Sequence, residues 1–229
     1  MHALFLAISL ATAPPATAAS VSELTLLYPD FNRIHYRTSG HRIGWTQVKN
    51  WPQREGWRAA LVERLAGEGE TAPRTYEVAL LDGVKVVARH VGFAGHVSPG
   101  EISTGPRMVA LDLGAFELRP KEFAVGVKTE QDRSKTLHLF RISGEALLPT
   151  LSILMESPLA GGGFRRTTLT LVRKKGVPDA YADILARHFE VKDEDSGAAV
   201  AKPLGETRYV MGEAGYVERQ APKTAGAER

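Results

Sequence analysis

The stretch RTYEVALLDGVKVVARHV, residues 74–91, decides the fold class. Apolar and polar residues alternate on both sides of Asp82-Gly83, and an Asp-Gly pair between two alternating runs is the strongest short signal for a β-hairpin. The sequence therefore predicts two antiparallel strands joined by a tight turn at these two residues.

The same period of two continues towards the C-terminus. Further predicted strands are MVALDL (108–113), AFELRP (115–120), EFAVGVKTE (122–130), TLHLFRI (136–142), ALLPTLSILM (146–155) and FRRTTLTLVRKK (164–175), followed by a closing hairpin in TRYVMGEAGYVER (207–219). Many short strands joined by turns indicate a mainly β protein, built as an antiparallel strand-rich sandwich, barrel or partial propeller. Residues 179–191 fit either a helix or a strand, and we predict a strand because strand-like segments surround them.

One amphipathic helix is predicted on the N-terminal side of the β region. Pro52 suits the first position of a helix, and Trp57, Leu61 and Leu65 recur four residues apart. Ahead of it, SELTLLY (22–28) is predicted to be a first strand because its residues alternate between two faces.

The first 19 residues are predicted to be a secretory signal peptide. An apolar stretch at residues 4–13 precedes Pro14-Pro15 and a run of small residues at 16–19, which suits an Ala-x-Ala cleavage site. The apolar stretch is shorter than the ~20 residues that a transmembrane helix needs. We therefore predict a periplasmic or secreted protein with no transmembrane segment after signal removal, a single β-rich domain at 20–219 and a disordered tail at 220–229.

The composition excludes several kinds of chemistry. The chain has 229 residues, 43% of them apolar and 24% charged, which is ordinary for a globular protein. It contains no cysteine, so disulfides, thiolate nucleophiles and cysteine-based zinc sites are excluded. A formal net charge of +3 is too small to indicate nucleic-acid binding. An exported protein of this composition depends on its core alone for stability.

All three tryptophans of the chain, Trp45, Trp51 and Trp57, fall six residues apart in one window. Large flat rings that are exposed together stack on the faces of sugars or lie at a membrane interface. Buried aromatic rings are the commoner use, with Trp57 anchoring the predicted helix and the other two covering the edge of the core. The three residues are thus candidates for binding, weighed against a packing role.

A second candidate binding feature is a set of basic residues at the two ends of one predicted strand. Arg165 and Arg166 lie at its N-terminal end, and Arg173, Lys174 and Lys175 lie at its C-terminal end. They suit contact with an anionic polysaccharide, lipid or phosphate. Charges also protect strand ends against aggregation, and we favour that interpretation.

Candidate metal ligands are His90, His96 and Glu101. Zinc takes three or four such ligands, but the spacing of these residues matches none of the compact zinc motifs. Ordinary surface or turn histidines are therefore favoured. With Asp112, the same residues are the candidates for a hydrolase site built from loops.

No catalytic motif occurs in the sequence, neither a nucleophile elbow, a metalloprotease helix nor a phosphate-binding loop. We therefore predict an exported bacterial protein that acts without a cofactor by binding a protein or glycan partner. One alternative is a hydrolase or metal-dependent enzyme with a loop-built site. A second alternative is a structural component of a cell-envelope assembly.

Overall fold

The structure is a computed structural model that describes residues 17–67, 72, 74–93, 108–114, 116–160, 162–193 and 199–219. Its elements are α1 (Val21–Leu27), β1 (Arg37–Thr38), β2 (His41–Asn50), β3 (Trp57–Leu65), β4 (Arg74–Asp82), β5 (Lys85–Phe93), β6 (Met108–Asp112), β7 (Glu117–Arg119), β8 (Glu122–Phe123), β9 (Val125–Gln131), β10 (Ser134–Ser143), β11 (Ala146–Pro158), β12 (Phe164–Val172), β13 (Asp183–Asp193), β14 (Ala199–Met211) and β15 (Tyr216–Arg219). The described chain is mainly β with one short helix near its N-terminal side, which confirms the predicted fold class.

The predicted hairpin at Asp82-Gly83 is confirmed, and it lies within an antiparallel meander. Asp82 at the end of β4 is opposite Lys85 at the start of β5. Gly83 has a φ of 55° in the turn, a conformation that glycine adopts without steric cost. Strands β1 to β5 are neighbours in chain order.

A second set of strands stacks against this meander. β6, β9, β10 and β11 are antiparallel neighbours in that order, and β11 leads on to β12, β13, β14 and β15. One parallel pair, Ala146 opposite Arg89, joins β11 to β5. Because β1 and β15 end the path of hydrogen-bonded strands, the sheet stays open and folds over itself as a sandwich.

Three buried clusters hold these layers together. The first lies between the meander and the strands β6, β9 and β10, and includes Leu61, Val78, Val127 and Phe140. The second lies between the opposite face of the meander and α1, and includes Leu24, Leu27, Val62 and Ala79. The third lies between strands β10 and β11 and strand β13, and includes Leu137, Leu139 and Ile184. Strand β10 is therefore covered on both faces.

The predicted positions of the helix and of the first strand are both wrong. Residues 57–65 form strand β3, in which Ala59, Ala60, Leu61 and Val62 are all fully buried. A strand covered on both faces is apolar throughout, and a spacing of four also places residues on one face of a strand, so this pattern imitates a helix.

The helix instead occupies part of the segment predicted as a first strand. The side chain of Ser20 accepts a hydrogen bond from the Glu23 backbone, and the Glu23 carboxylate accepts one from the Ser20 backbone. This capping box satisfies two backbone donors at the start of α1. The Ser-x-x-Glu spacing of residues 20–23 was the signal in the sequence.

The prediction of a strand in residues 179–191 is confirmed by β13. Its Ile184 and Ala186 are buried in the third cluster. The closing hairpin is confirmed as well, since β14 pairs with β15 from Arg208 opposite Arg219 to Met211 opposite Tyr216.

Candidate functional site

The three tryptophans occupy different environments. Trp51 is 2% exposed and lies in the first core cluster. Trp57 is half-buried against the same cluster, with its ring centroid 5.9 Å from that of Trp51. Trp45 is 41% exposed. Trp51 and Trp57 thus contribute to packing, whereas Trp45 offers much of its surface to a ligand.

Trp45 lines a cleft of about 360 Å³ at the outer edge of β2. The other lining residues are 17–19, Tyr36, Gly44, Thr46 and Gln47. Tyr36 is 43% exposed, and its ring meets the ring of Phe31 edge-on with the centroids 5.3 Å apart. Two exposed aromatic rings therefore border one cleft, and one of them is held in place by a third ring.

A β-bulge directs Trp45 outward. Ile43 is paired with Arg64 and Thr46 with Val62, so Gly44 and Trp45 together oppose the single residue between those partners. A Cβ atom on Gly44 would lie 2.3 Å from Oε2 of Glu63. A larger residue at this position would have to displace the Glu63 carboxylate, so glycine suits the bulge beside Trp45.

Hydrogen bonds fix Glu63 behind the bulge. The Tyr76 hydroxyl donates to Oε1 of Glu63 over 3.2 Å, and the Arg74 guanidinium lies 3.5 Å from the same oxygen. The pKa of Tyr76 is raised to about 12, mainly by burial and secondly by the negative charge of the nearby Glu63 carboxylate. Tyr76 therefore stays a hydrogen-bond donor to Glu63 at every physiological pH.

Three of the five basic residues around β12, namely Arg166, Arg173 and Lys174, have carboxylate partners. Nε of Arg166 lies 3.0 Å from Glu156, which also pairs with Lys135 at 2.8 Å. These bonds lower the pKa of Glu156, the Lys135 bond most. Arg165 lies opposite Glu190 in the register of β12 and β13.

At the other end of the strand, Arg173 pairs with Glu117, and Lys174 lies 3.4 Å from Asp183. The set of charges is thus largely compensated within the protein and does not form one cationic surface.

The candidate metal ligands are not assembled within the described residues. His90 packs against Phe140 with the ring centroids 5.2 Å apart, and Asp112 pairs with Lys128 at 2.7 Å. His96 and Glu101 lie outside the residues that the structure describes. Among those it does describe, no group of three or more His, Asp or Glu side chains is placed to hold a metal ion.

Two histidines that the sequence analysis did not single out form matching cross-strand bridges. Nδ1 of His138 lies 2.8 Å from the Ser152 hydroxyl, and its Nε2 lies 3.0 Å from the Thr129 hydroxyl. Ser152 is directly opposite His138 on β11, whereas Thr129 lies on β9.

His188 repeats this geometry. Its Nδ1 lies 3.0 Å from the hydroxyl of Thr167, which is directly opposite on β12, and its Nε2 lies 3.0 Å from that of Thr207 on β14. A neutral imidazole has one donor and one acceptor nitrogen, and each hydroxyl can act as either, so both bridges are satisfied without a charge. No sequence spacing reveals them, because they depend on the register of three strands.

We expect the protein to lose stability as the pH falls below about 6.5, the ordinary pKa of histidine. Burial lowers the pKa of both His138 and His188, and Arg165 lowers that of His188 further, against a smaller opposite effect of Glu218. Below that pH the histidines are protonated in the unfolded chain but stay neutral in the folded chain. The two histidines therefore contribute their full stabilisation above about pH 6.5, and this contribution decreases as the pH falls.

Thermal melts between about pH 7.5 and 5.0 measure the effect. The variant H138Q/H188Q should show a shallower dependence, and an unchanged slope would contradict this assignment.

No helix in the described part of the chain is long and apolar enough to cross a membrane. One surface feature that packing leaves unexplained is the cleft between Trp45 and Tyr36, which combines aromatic rings with nearby amide and hydroxyl groups. No protein-family model, curated protein or solved structure matches this chain.

Proposed function

We propose that this chain is an exported bacterial protein, periplasmic or secreted, that binds a glycan without catalysis. The observation that carries the proposal is the pair of exposed rings, Trp45 and Tyr36, on one cleft. Aromatic faces stack on the apolar faces of sugar rings, and exposed aromatic groups that border a concave surface are typical of a binding site. A protein partner is the other class of ligand, and the experiment below separates the two.

The polar groups around the rings suit sugar hydroxyls. The bulge on β2 leaves two residues opposite one, which disrupts the local ladder of backbone hydrogen bonds beside Trp45. Gln47 lines the same cleft with an amide whose Oε1 already accepts from the Leu111 backbone over 2.6 Å. Its NH₂ group carries two donors, and we propose that a ligand oxygen accepts from it.

Export would alter this cleft directly. Thr17 forms a two-way backbone bridge with Val48, and the Ala19 backbone donates to Oγ1 of Thr46 over 2.9 Å. Cleavage after Ala19 would remove these residues from the cleft wall and free the edge of β2 beside Trp45. Mass spectrometry of the periplasmic or secreted protein should give a chain that starts at Ser20, and an intact Met1 on the mature protein would contradict export by this signal.

Trp45→Ala should weaken retention on an array of bacterial surface and cell-wall glycans by about tenfold or more, which corresponds to about 1.4 kcal/mol. The melting temperature should stay nearly unchanged because the ring is largely exposed. Leu204→Ala is the matched control, since Leu204 is 48% exposed on β14. Failure of the wild-type protein to bind any glycan, or equal retention of both variants, would overturn the proposal.

One contact favours an enzymatic alternative. An exposed Ser152 lies 2.8 Å from a histidine nitrogen, which is the spacing of a nucleophile and its base. A threonine hydroxyl stands where a catalytic triad has a carboxylate, and the His188 bridge repeats the geometry with Thr167 in place of the serine. This repetition favours a structural role. A serine-reactive fluorophosphonate should leave Ser152 unlabelled, and labelling that His138→Gln abolishes would replace the binding proposal by a hydrolase.

A further inference from the structure

We propose that a second cleft, between the β2–β3 loop and the β7–β8 hairpin, binds a sugar acid through its carboxylate. The cleft measures about 470 Å³ and is lined by Arg54, Arg119, Pro120, Lys121, Glu122, Phe123, Ile142 and Asp179. It lies beyond the C-terminal end of β2 and shares no lining residue with the cleft of Trp45, so the two sites are separate.

Arg54 is the central cation of this site. Its guanidinium lies over the ring of Trp57, 4.4 Å from the centroid, and 5.9 Å from the centroid of Trp51. No carboxylate of the described residues lies within ion-pair distance of it. A guanidinium held on aromatic rings keeps its hydrogen-bond donors at its edge, where they suit a carboxylate.

The loop that carries Arg54 is fixed by its own backbone. The Trp51 amide donates to the Trp57 carbonyl over 2.8 Å, and the Arg54 amide donates to the Trp51 carbonyl over 3.1 Å. The Trp57 amide in turn donates to the Arg54 carbonyl over 3.1 Å. The cation is therefore positioned before a ligand arrives, which lowers the entropic cost of binding.

Lys121 supplies a second cation from the facing hairpin. The backbone of Lys121 adopts a left-handed conformation with a φ of 63°, and its amide donates to Oε1 of Glu117 over 3.0 Å. Among the described side chains, no carboxylate pairs with its ammonium group. The geometry of the turn thus places an unpaired positive charge on the same cleft as Arg54.

The remaining charges of the cleft are mostly paired. Arg119 forms an ion pair with Glu122, and its guanidinium lies over the Tyr181 ring, 4.9 Å from the centroid. The Tyr181 hydroxyl donates to the Glu122 carboxylate over 3.1 Å. Asp179 is an exposed carboxylate on the rim. The two unpaired cations outnumber it, which favours a ligand with negative charge.

Two buried polar atoms in the same loop, Nε1 of Trp51 and Oε1 of Gln53, have no hydrogen-bond partner among the described residues. Both atoms are closed off from solvent, so a ligand in the cleft does not reach them and the two cations carry its recognition. The exposed Asp179 carboxylate on the rim is an acceptor for hydroxyl groups. A sugar acid therefore fits this lining, because its carboxylate meets Arg54 and Lys121 while its hydroxyls can donate to Asp179.

The test is isothermal titration calorimetry of the full protein with a galacturonate tetramer and with its methyl ester. The ester keeps the rings and hydroxyls but removes the charge. We expect binding of the acid, at least tenfold weaker binding of the ester, and loss of affinity as the salt concentration rises. Arg54→Met and Lys121→Met should each weaken binding of the acid at least tenfold, whereas Lys202→Met, on exposed β14, should not.

Other outcomes would overturn the assignment. Equal binding of acid and ester, or no binding of either, would show that the cleft does not recognise a carboxylate. Competition by inorganic phosphate as strong as that by the tetramer, at equal ionic strength, would show a site for simple anions. Trp45→Ala should leave binding of the tetramer unchanged, so that the failure of this site and the failure of the glycan cleft are distinguishable.

Discussion

Trp51→Ala should lower the free energy of unfolding by about 3–5 kcal/mol. Its indole is 2% exposed and fills the first core cluster between the meander and the second layer. Truncation leaves a cavity that neighbouring side chains refill only in part, because sheets on both sides hold the backbone in place. No described residue accepts a hydrogen bond from the indole N–H, so the substitution removes packing and no hydrogen bond.

Urea unfolding followed by circular dichroism measures this effect as a lower midpoint at an unchanged m-value. Trp45→Ala is the matched control, since the same truncation at an exposed site should cost about 0.5 kcal/mol or less. Equal losses for the two variants would contradict the division of the tryptophans into one core and one binding residue.

Glu77→Ala should cost about 3 kcal/mol because it removes the acidic centre of a buried ion cluster. The Glu77 side chain is fully buried beneath the end of α1. Its carboxylate lies 3.0 Å from Arg89 and 3.8 Å from Arg64, and accepts a hydrogen bond from the Tyr28 hydroxyl over 2.8 Å. The alanine would leave a buried hydroxyl without an acceptor and two guanidinium groups without their counter-ion.

Glu77→Gln separates shape from charge at this position. Burial raises the pKa of Glu77 more than Tyr28 and the two arginines lower it, so a neutral group is tolerated better than a missing one. The amide oxygen still accepts from Tyr28, and the expected loss is only about 1 kcal/mol. Glu206→Gln, which removes an exposed partner of Arg187, should change the midpoint little. A loss for the glutamine variant as large as for the alanine variant would contradict the argument.

The sequence predicted those parts of the fold that depend on neighbouring residues. Alternation around Asp82-Gly83 predicted a hairpin because turn chemistry is local. The same rule failed at residues 57–65, where burial on both faces removes the alternation that distinguishes a strand. It also failed at α1, where residues alternate as in a strand. The capping box formed by Ser20 and Glu23 stabilises a helix there instead.

The candidate sites depend on contacts that one sequence does not show. Trp45 was a candidate from its residue type, but its separation from Trp51 follows from the bulge at Gly44 and from the stacking of the layers. Arg54 and Lys121 come from loops 67 positions apart along the chain, and the sheet brings them to one cleft. The histidine bridges depend on register in the same way.

Trp45, and neither of the other tryptophans, should contact the glycan that binds in the cleft beside β2. The chain has three tryptophans, so ¹⁵N-labelled protein gives three indole N–H signals that single substitutions assign. The test is a titration with the uncharged glycan that binds most strongly on the array. We expect a progressive shift of the Trp45 indole signal while the Trp51 signal stays in place. A shift of the Trp51 signal with an unmoved Trp45 signal, or no shift at all, would contradict it.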